Sequence, residues 1–222
     1  MSRSAASTAF VAAAGPLLAR LHDTRPNHDP ATFRIGAGVV AGQEARLRPL
    51  LPVDPRPAAV LIPLVDRPEG PHILLTVRAS HLRHHAGQIA FPGGRIELED
   101  ADPAAAALRE AEEEIGLEPA RVQVLGYLPD QLILTGFRVT PVVAHVTPGF
   151  TLRYDPGEVQ ETFELPWSHL IDARHHHAYR RQLAGMELEV RDILFGEHKI
   201  WGATAGMLFC LREWALPRPE GS

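Results

Sequence analysis

The sequence predicts an α/β fold in which a mixed β-sheet lies between helical layers. Three observations carry this. Apolar runs short enough for strands recur between turn residues, at residues 58–65 and 139–146 among others. Residues 102–116 have the apolar spacing and both end signals of a helix. A second helical pattern closes the chain at residues 204–216. Strands interleaved with a few helices are stable when the helices cover the sheet faces.

Taken in order, residues 1–22 hold no acidic residue and place Phe10, Leu17, Leu18 and Leu21 at helical spacing, while Gly15-Pro16 interrupts the run. They predict a pair of short helices rather than a targeting segment. Residues 23–57 carry many prolines and predict an irregular arm, so that residues 1–57 form an N-terminal helical extension and residues 58–216 the main domain. Residues 58–65 predict a buried strand, 66–71 a turn and 72–77 a returning strand. A basic loop at 78–86 leads to a short extended segment, 88–91, and the pair Gly93-Gly94. The next helix has Asp102 as N-cap, Pro103 at its first position and Gly116 as the left-handed residue that ends it. Ala104, Leu108, Ala111 and Ile115 form its inward stripe, leaving an acidic face turned outward. Strands follow at 122–128 and 139–146 around a loop at 132–136. A strand at 158–165, a short helix at 167–172 and a hairpin of 188–194 with 199–201 precede the closing helix.

The chain has 222 residues, 45% of them hydrophobic and 22% charged, as in ordinary globular domains. A net charge of −5 argues against a nucleic-acid surface, which needs clustered Lys and Arg. No apolar run is long enough to span a membrane. The single cysteine, Cys210, sits in an apolar run, predicts a buried thiol, and permits no intramolecular disulfide, which suits a reducing cytoplasm. His175-His176-His177 reads as a solvated run. A two-fold homodimer is the base-rate assembly, with no further sign of oligomeric state.

Chemistry concentrates between Gly93 and Leu117. At 100° per residue, Glu110, Glu113 and Glu114 share one helical face, while Glu112 points away. Three carboxylates there repel one another unless a cation sits among them. A hard divalent ion with oxygen ligands, Mg²⁺ or Mn²⁺, fits best.

Arg109 through Leu117 resemble the second half of the signature box of the Nudix hydrolases at every fixed position: Arg-Glu-apolar-x-Glu-Glu-x-Gly-apolar. The first half departs: counting from Gly94, the early acid is Asp100 rather than Glu, and eight residues rather than seven separate it from Arg109. Upstream, Leu74 to Ala79, Arg83 and Gly87 to Gly94 resemble the extra motif of the coenzyme A pyrophosphatase branch, which shares the Asp and the longer spacing. Thr135-Gly136-Phe137, Val139-Thr140-Pro141 and Ile200-Trp201-Gly202 are further echoes, so the resemblance covers roughly residues 58–215.

The resemblance implies a Nudix α/β/α sandwich that hydrolyses a phosphoric anhydride in a small nucleotide, coenzyme A or a derivative. Glu110, Glu113 and Glu114 would be metal ligands, joined by the Gly93 carbonyl, with Arg109 orienting Glu113. The general base lies among Glu158, Glu161 and Glu164; the resemblance favours Glu161. Arg78, Arg83, His85 and Gln88 are candidates for binding substrate, with Arg78 or Arg83 on the coenzyme A 3′-phosphate. Two alternatives stand beside this: the same chemistry on ADP-ribose, NADH or dinucleoside polyphosphates, and a non-catalytic regulatory domain that only binds a nucleotide.

Overall fold

The structure, a computed structural model, describes residues 6–217 except 28, 30, 37, 40–42, 83 and 84. Its elements, in chain order, begin with helix α1 (Thr8–Leu21), strand β1 (Arg34–Ile35), the single turn α2 (Glu44–Leu47), and strands β2 (Arg56–Arg67), β3 (Gly70–Arg78), β4 (Ile89–Ala90) and β5 (Gly93–Arg95). Helix α3 (Pro103–Ile115) follows, then β6 (Val122–Tyr127), β7 (Gln131–Ile133), β8 (Phe137–Val146), β9 (Val159–Pro166) and the short α4 (Trp167–Ile171). Strands β10 (His176–Leu183), β11 (Met186–Phe195) and β12 (His198–Ile200) and helix α5 (Gly202–Ala215) complete the chain.

The main sheet is mixed. Its centre is the parallel pair β2 and β8, registered from Arg56↔Phe137 to Val65↔Val146, and β3 and β9 extend it antiparallel. Alternation along β2 divides the core. Ala59, Leu61 and Val65 face α3, where they meet Ala107, Ala111 and Ile115. Ile62 and Leu64 face the other way, toward Phe10, Leu17 and Leu21 of α1 and Leu208 and Leu211 of α5. The result is the predicted α/β/α sandwich.

Both ends of α3 form as the residues dictate. The Asp102 carboxylate accepts from the Ala105 amide at 2.8 Å, Pro103 begins the helix, and Gly116 takes φ 68°.

Four details differ from the sequence reading. The predicted pair of N-terminal helices is one helix with Pro16 inside it. The proline forfeits a hydrogen bond and costs about 3 kcal/mol. Complete burial of Phe10, Leu17 and Leu21 outweighs this at about 1.5–3 kcal/mol each. The Ser7 hydroxyl, which accepts from the Phe10 amide, also donates to Asp66 Oδ1, pinning the helix start to β2. Second, the proline-rich arm contributes β1, which pairs in parallel with β7 (Arg34↔Gln131). Third, the expected loop at 132–136 begins as strand β7, antiparallel to β8.

Fourth, the predicted hairpin is a three-stranded sheet, because β10 pairs with β11 along its length, from His176↔Ile193 to Leu183↔Met186. The β10 residues lack apolar alternation, so only the pairing reveals the strand. The histidine run is accordingly not wholly solvated: His176 Nε2 lies 2.9 Å from the Leu170 carbonyl, with its ring edge on Phe209. No helix among the described residues is long and apolar enough to cross a membrane.

Candidate active site

The acidic helix lies against the glycine pair. Strand β5 pairs with the start of β2 (Val60↔Gly93), directly beside α3. Gly93 adopts φ 153°, and its amide donates to Glu114 Oε2 at 3.2 Å. A Cβ on Gly93 would fall 2.6 Å from the Val60 Cα, so the chain passes too close to β2 for any side chain. A Cβ on Gly94 would lie 2.5 Å from the Glu110 Cδ, inside space that the carboxylate uses.

The three box glutamates sit at graded depths. Glu114 is buried, only 5% exposed, which corrects the expectation that the whole acidic face turns outward. Burial above all, reinforced by the charges of Glu158 and Glu110, pushes its carboxyl up to about 8, against the Gly93 amide and Arg78, which pull it down. Burial also raises Glu110; Arg109 opposes this, and Glu113 and Glu158 add to it. The Glu113 side chain is largely exposed.

Arg109 ties the cluster together. Its Nη1 donates to Glu110 Oε1 at 3.0 Å and Glu113 Oε2 at 3.1 Å. Its Nε and Nη2 grip both oxygens of Asp100, at 3.1 and 3.0 Å. Asp100, whose carboxyl this grip holds below the usual range, is therefore the residue that aims the arginine. Nothing in the sequence spacing alone indicated that role.

Among the described residues, no three His, Cys, Asp or Glu side chains yet converge on one point. Arg109 draws Glu110 and Glu113 one way, while Glu114 turns to the Gly93 amide. The donor set nonetheless fits a hard cation. Two of its carboxylates, Glu110 and Glu114, are desolvated beside other negative charge, an arrangement that a divalent ion with oxygen ligands would relieve.

The candidate bases differ in their surroundings. Glu161 pairs with Val77, whose side chain belongs to the α1/α5 core, so Glu161 lies on the sheet face away from α3. Glu164 is engaged in a two-point ion pair with Arg67. Glu158, just before β9, is the one whose charge bears on both Glu110 and Glu114.

Beside Gly93 opens a cleft of ≈ 480 Å³. Sequence segments far apart converge on it: Arg78, His85, Gln88 and Phe91 from before the box, Thr135, Phe137 and Val139 from β7–β8, and Trp201 to Thr204 at the start of α5. The loop after β3 is zipped shut, with the Arg78 amide donating to the Gln88 carbonyl and the Gly87 amide to the Arg78 carbonyl. His85, at φ 60°, puts its Nδ1 2.7 Å from Gln88 Oε1. The buried Arg78 Nε has no hydrogen-bond partner among the described residues. A buried donor left this way is costly unless an acceptor arrives. Arg83 and His84 lie outside the described residues. The cleft also takes Arg181, Leu183 and Val190 from the second sheet, which sequence reasoning did not associate with the site.

Comparison with known proteins finds similar sequences over most of the chain. A family model described as the NUDIX domain matches residues 55–185. The Nudix hydrolase NudL of Shigella flexneri serotype 5b (strain 8401) is 43% identical over 173 residues, covering 77% of this chain and 88% of that protein. NudL of Escherichia coli (strain K12) is 44% identical over 161 residues, covering 72% and 82%. Among solved structures, a Nudix hydrolase from M. smegmatis, RenU, matches with a TM-score of 0.50 at 21% identity, over 71% of this chain and 84% of that one. That likeness shows the fold.

Proposed function

From the premise that this chain belongs to the Nudix hydrolase family, we propose that it hydrolyses the pyrophosphate bond of coenzyme A or its acyl derivatives, giving 4′-phosphopantetheine or its acyl form and adenosine 3′,5′-bisphosphate. The observation that carries this is the Glu110, Glu113 and Glu114 set beside Gly93, at the edge of a cleft supplied with Arg78, His85 and Gln88. The coenzyme A branch is favoured by the motifs at residues 74–94 and by Asp100, whose grip on Arg109 gives the longer spacing a purpose.

Nudix hydrolases generally use divalent metal ions such as Mg²⁺. In this chain Glu110, Glu113, Glu114 and the Gly93 carbonyl would hold Mg²⁺ or Mn²⁺. When bound, such an ion supplies positive charge to the anhydride oxygens and makes water easier to deprotonate.

The chain's own residues do the rest. Arg109 orients Glu110 and Glu113 through two hydrogen bonds. Arg78 lines the cleft with a guanidinium suited to a phosphate oxygen, and the joined His85–Gln88 pair borders the same space. Glu158, rather than Glu161, accepts the proton of the attacking water, because its charge already reaches the ligand carboxylates. A P–O bond forms to that water and the bridging P–O bond breaks.

Mass spectrometry of products tests the proposal. The protein is incubated with Mg²⁺ or Mn²⁺ and coenzyme A, beside ADP-ribose and NADH, with Glu113→Gln as control. Metal-dependent release of 4′-phosphopantetheine, lost in the variant, is the expected result. Cleavage of another substrate but not coenzyme A would overturn the substrate assignment, and no cleavage at all would favour a nucleotide-binding role.

A further inference from the structure

The cleft beside Gly93 carries, on the second sheet, a cation that the reaction chemistry does not use. Arg181 projects from β10, and its guanidinium lies over the Trp201 ring, 5.1 Å from the centroid. Both residues line the cleft, and the arginine is exposed. The neighbouring cations are otherwise engaged. Arg180 pairs with Glu187 at 3.1 Å and Lys199 with Asp192 at 2.9 Å. Among the described residues no carboxylate pairs with Arg181. The cleft walls are otherwise mainly apolar, including Ile133, Leu134, Val190 and Met207. The cleft thus offers Arg78 from β3, apolar walls, and from β10 an arginine that lies over an indole.

We propose that Arg181 and Trp201 hold the nucleoside half of the substrate, with the Arg181 guanidinium on a phosphate monoester carried by the ribose and the Trp201 ring beside the base. The inference rests on the reading above that the substrate is a nucleotide pyrophosphate, and it moves the recognition of an added phosphate away from the loop before the box. A guanidinium already held over an aromatic ring loses less freedom when its fork binds two phosphate oxygens. The amino end of α5, without a side-chain cap, opens on the same wall and adds a favourable dipole.

Titration calorimetry on the whole protein tests this without turnover. The probes are adenosine 3′,5′-bisphosphate, adenosine 2′,5′-bisphosphate and 5′-AMP, applied to the wild type and to Arg181→Ala, an exposed change that leaves the core intact. The variant is expected to bind the 3′,5′-bisphosphate about tenfold more weakly and 5′-AMP less than about twofold more weakly. The same selective loss for the 2′,5′ isomer alone would support a ribose-phosphate site while sinking the coenzyme A reading. Equal losses for all three probes, no loss, or a wild type that prefers neither bisphosphate to 5′-AMP would overturn the inference. Hydrolysis of coenzyme A by the wild type, measured separately, tells failure of the substrate reading from failure of this one.

Discussion

Gly94 is shaped around Glu110: a single methyl at Gly94 would sit 2.5 Å from the glutamate Cδ. The obstruction is the end of a side chain rather than backbone, and Glu110 can swing away. Gly94→Ala should therefore fold with less than about 1 kcal/mol lost, yet lower kcat about a hundredfold through a misplaced ligand. Steady-state kinetics beside urea unfolding would decide it; a variant of undiminished kcat removes Gly94 from the site.

Gly93→Ala should behave in the opposite way. Its added Cβ meets the Val60 backbone at 2.6 Å, and its φ of 153° is strained for other residues. We expect a loss of stability of about 3 kcal/mol or more. Thermal unfolding unchanged within a degree would contradict the close approach.

The choice of base lies between Glu158, whose charge bears on Glu110 and Glu114, and Glu161 on β9. Glu158→Gln should lower kcat by about 10²–10⁴ with little change in KM, while Glu161→Gln keeps kcat within its original order of magnitude. The reverse ranking would return the role to Glu161.

Asp66 gives an acid-sensitive contribution to stability. Burial alone would raise its carboxyl, but the Ser7 hydroxyl and amide and His145 outweigh burial and hold it below its ordinary value. A depressed folded-state value means stabilisation that is complete above the unfolded pKa and lost as pH falls through the folded one. At pH 7, Asp66→Asn should be less stable by about 1.5–3 kcal/mol, and the gap should narrow below about pH 4. A gap that stays constant from pH 7 to pH 3 in urea titrations would rule out the ionised carboxylate as its source.

Cys210 should be chemically silent in the folded protein. It is 1% exposed, and burial pushes its thiol up to about 11. A chromogenic disulfide reagent at pH 8 should react slowly with the native protein and fully in urea; rapid stoichiometric labelling of the native state would show an open path to the thiol.

Local signals were the legible ones. The Asp102 cap, the Pro103 start and the Gly116 stop are properties of neighbouring residues, so α3 formed where expected. The chemistry of its glutamates followed from spacing on one helix. The Pro16 break failed as a signal because a helix propensity of a few kcal/mol competes with burial that only the folded core supplies. Strand β10 left no periodic trace because its side chains are mostly exposed, and what holds it is the backbone ladder to β11.

The sequence by itself determined the α/β class, the acidic helix with its ends, and the family to which the box belongs, since each resides in contiguous residues. Tertiary structure alone decided that Glu114 is buried while Glu113 is not, that Asp100 aims Arg109, and that Glu161 lies on the sheet face away from α3. It also decided that a hairpin near the end of the chain supplies Arg181 to the same cleft as Arg78. Burial depth and cross-sheet proximity depend on how distant segments stack, and no spacing along one chain encodes them separately from the fold.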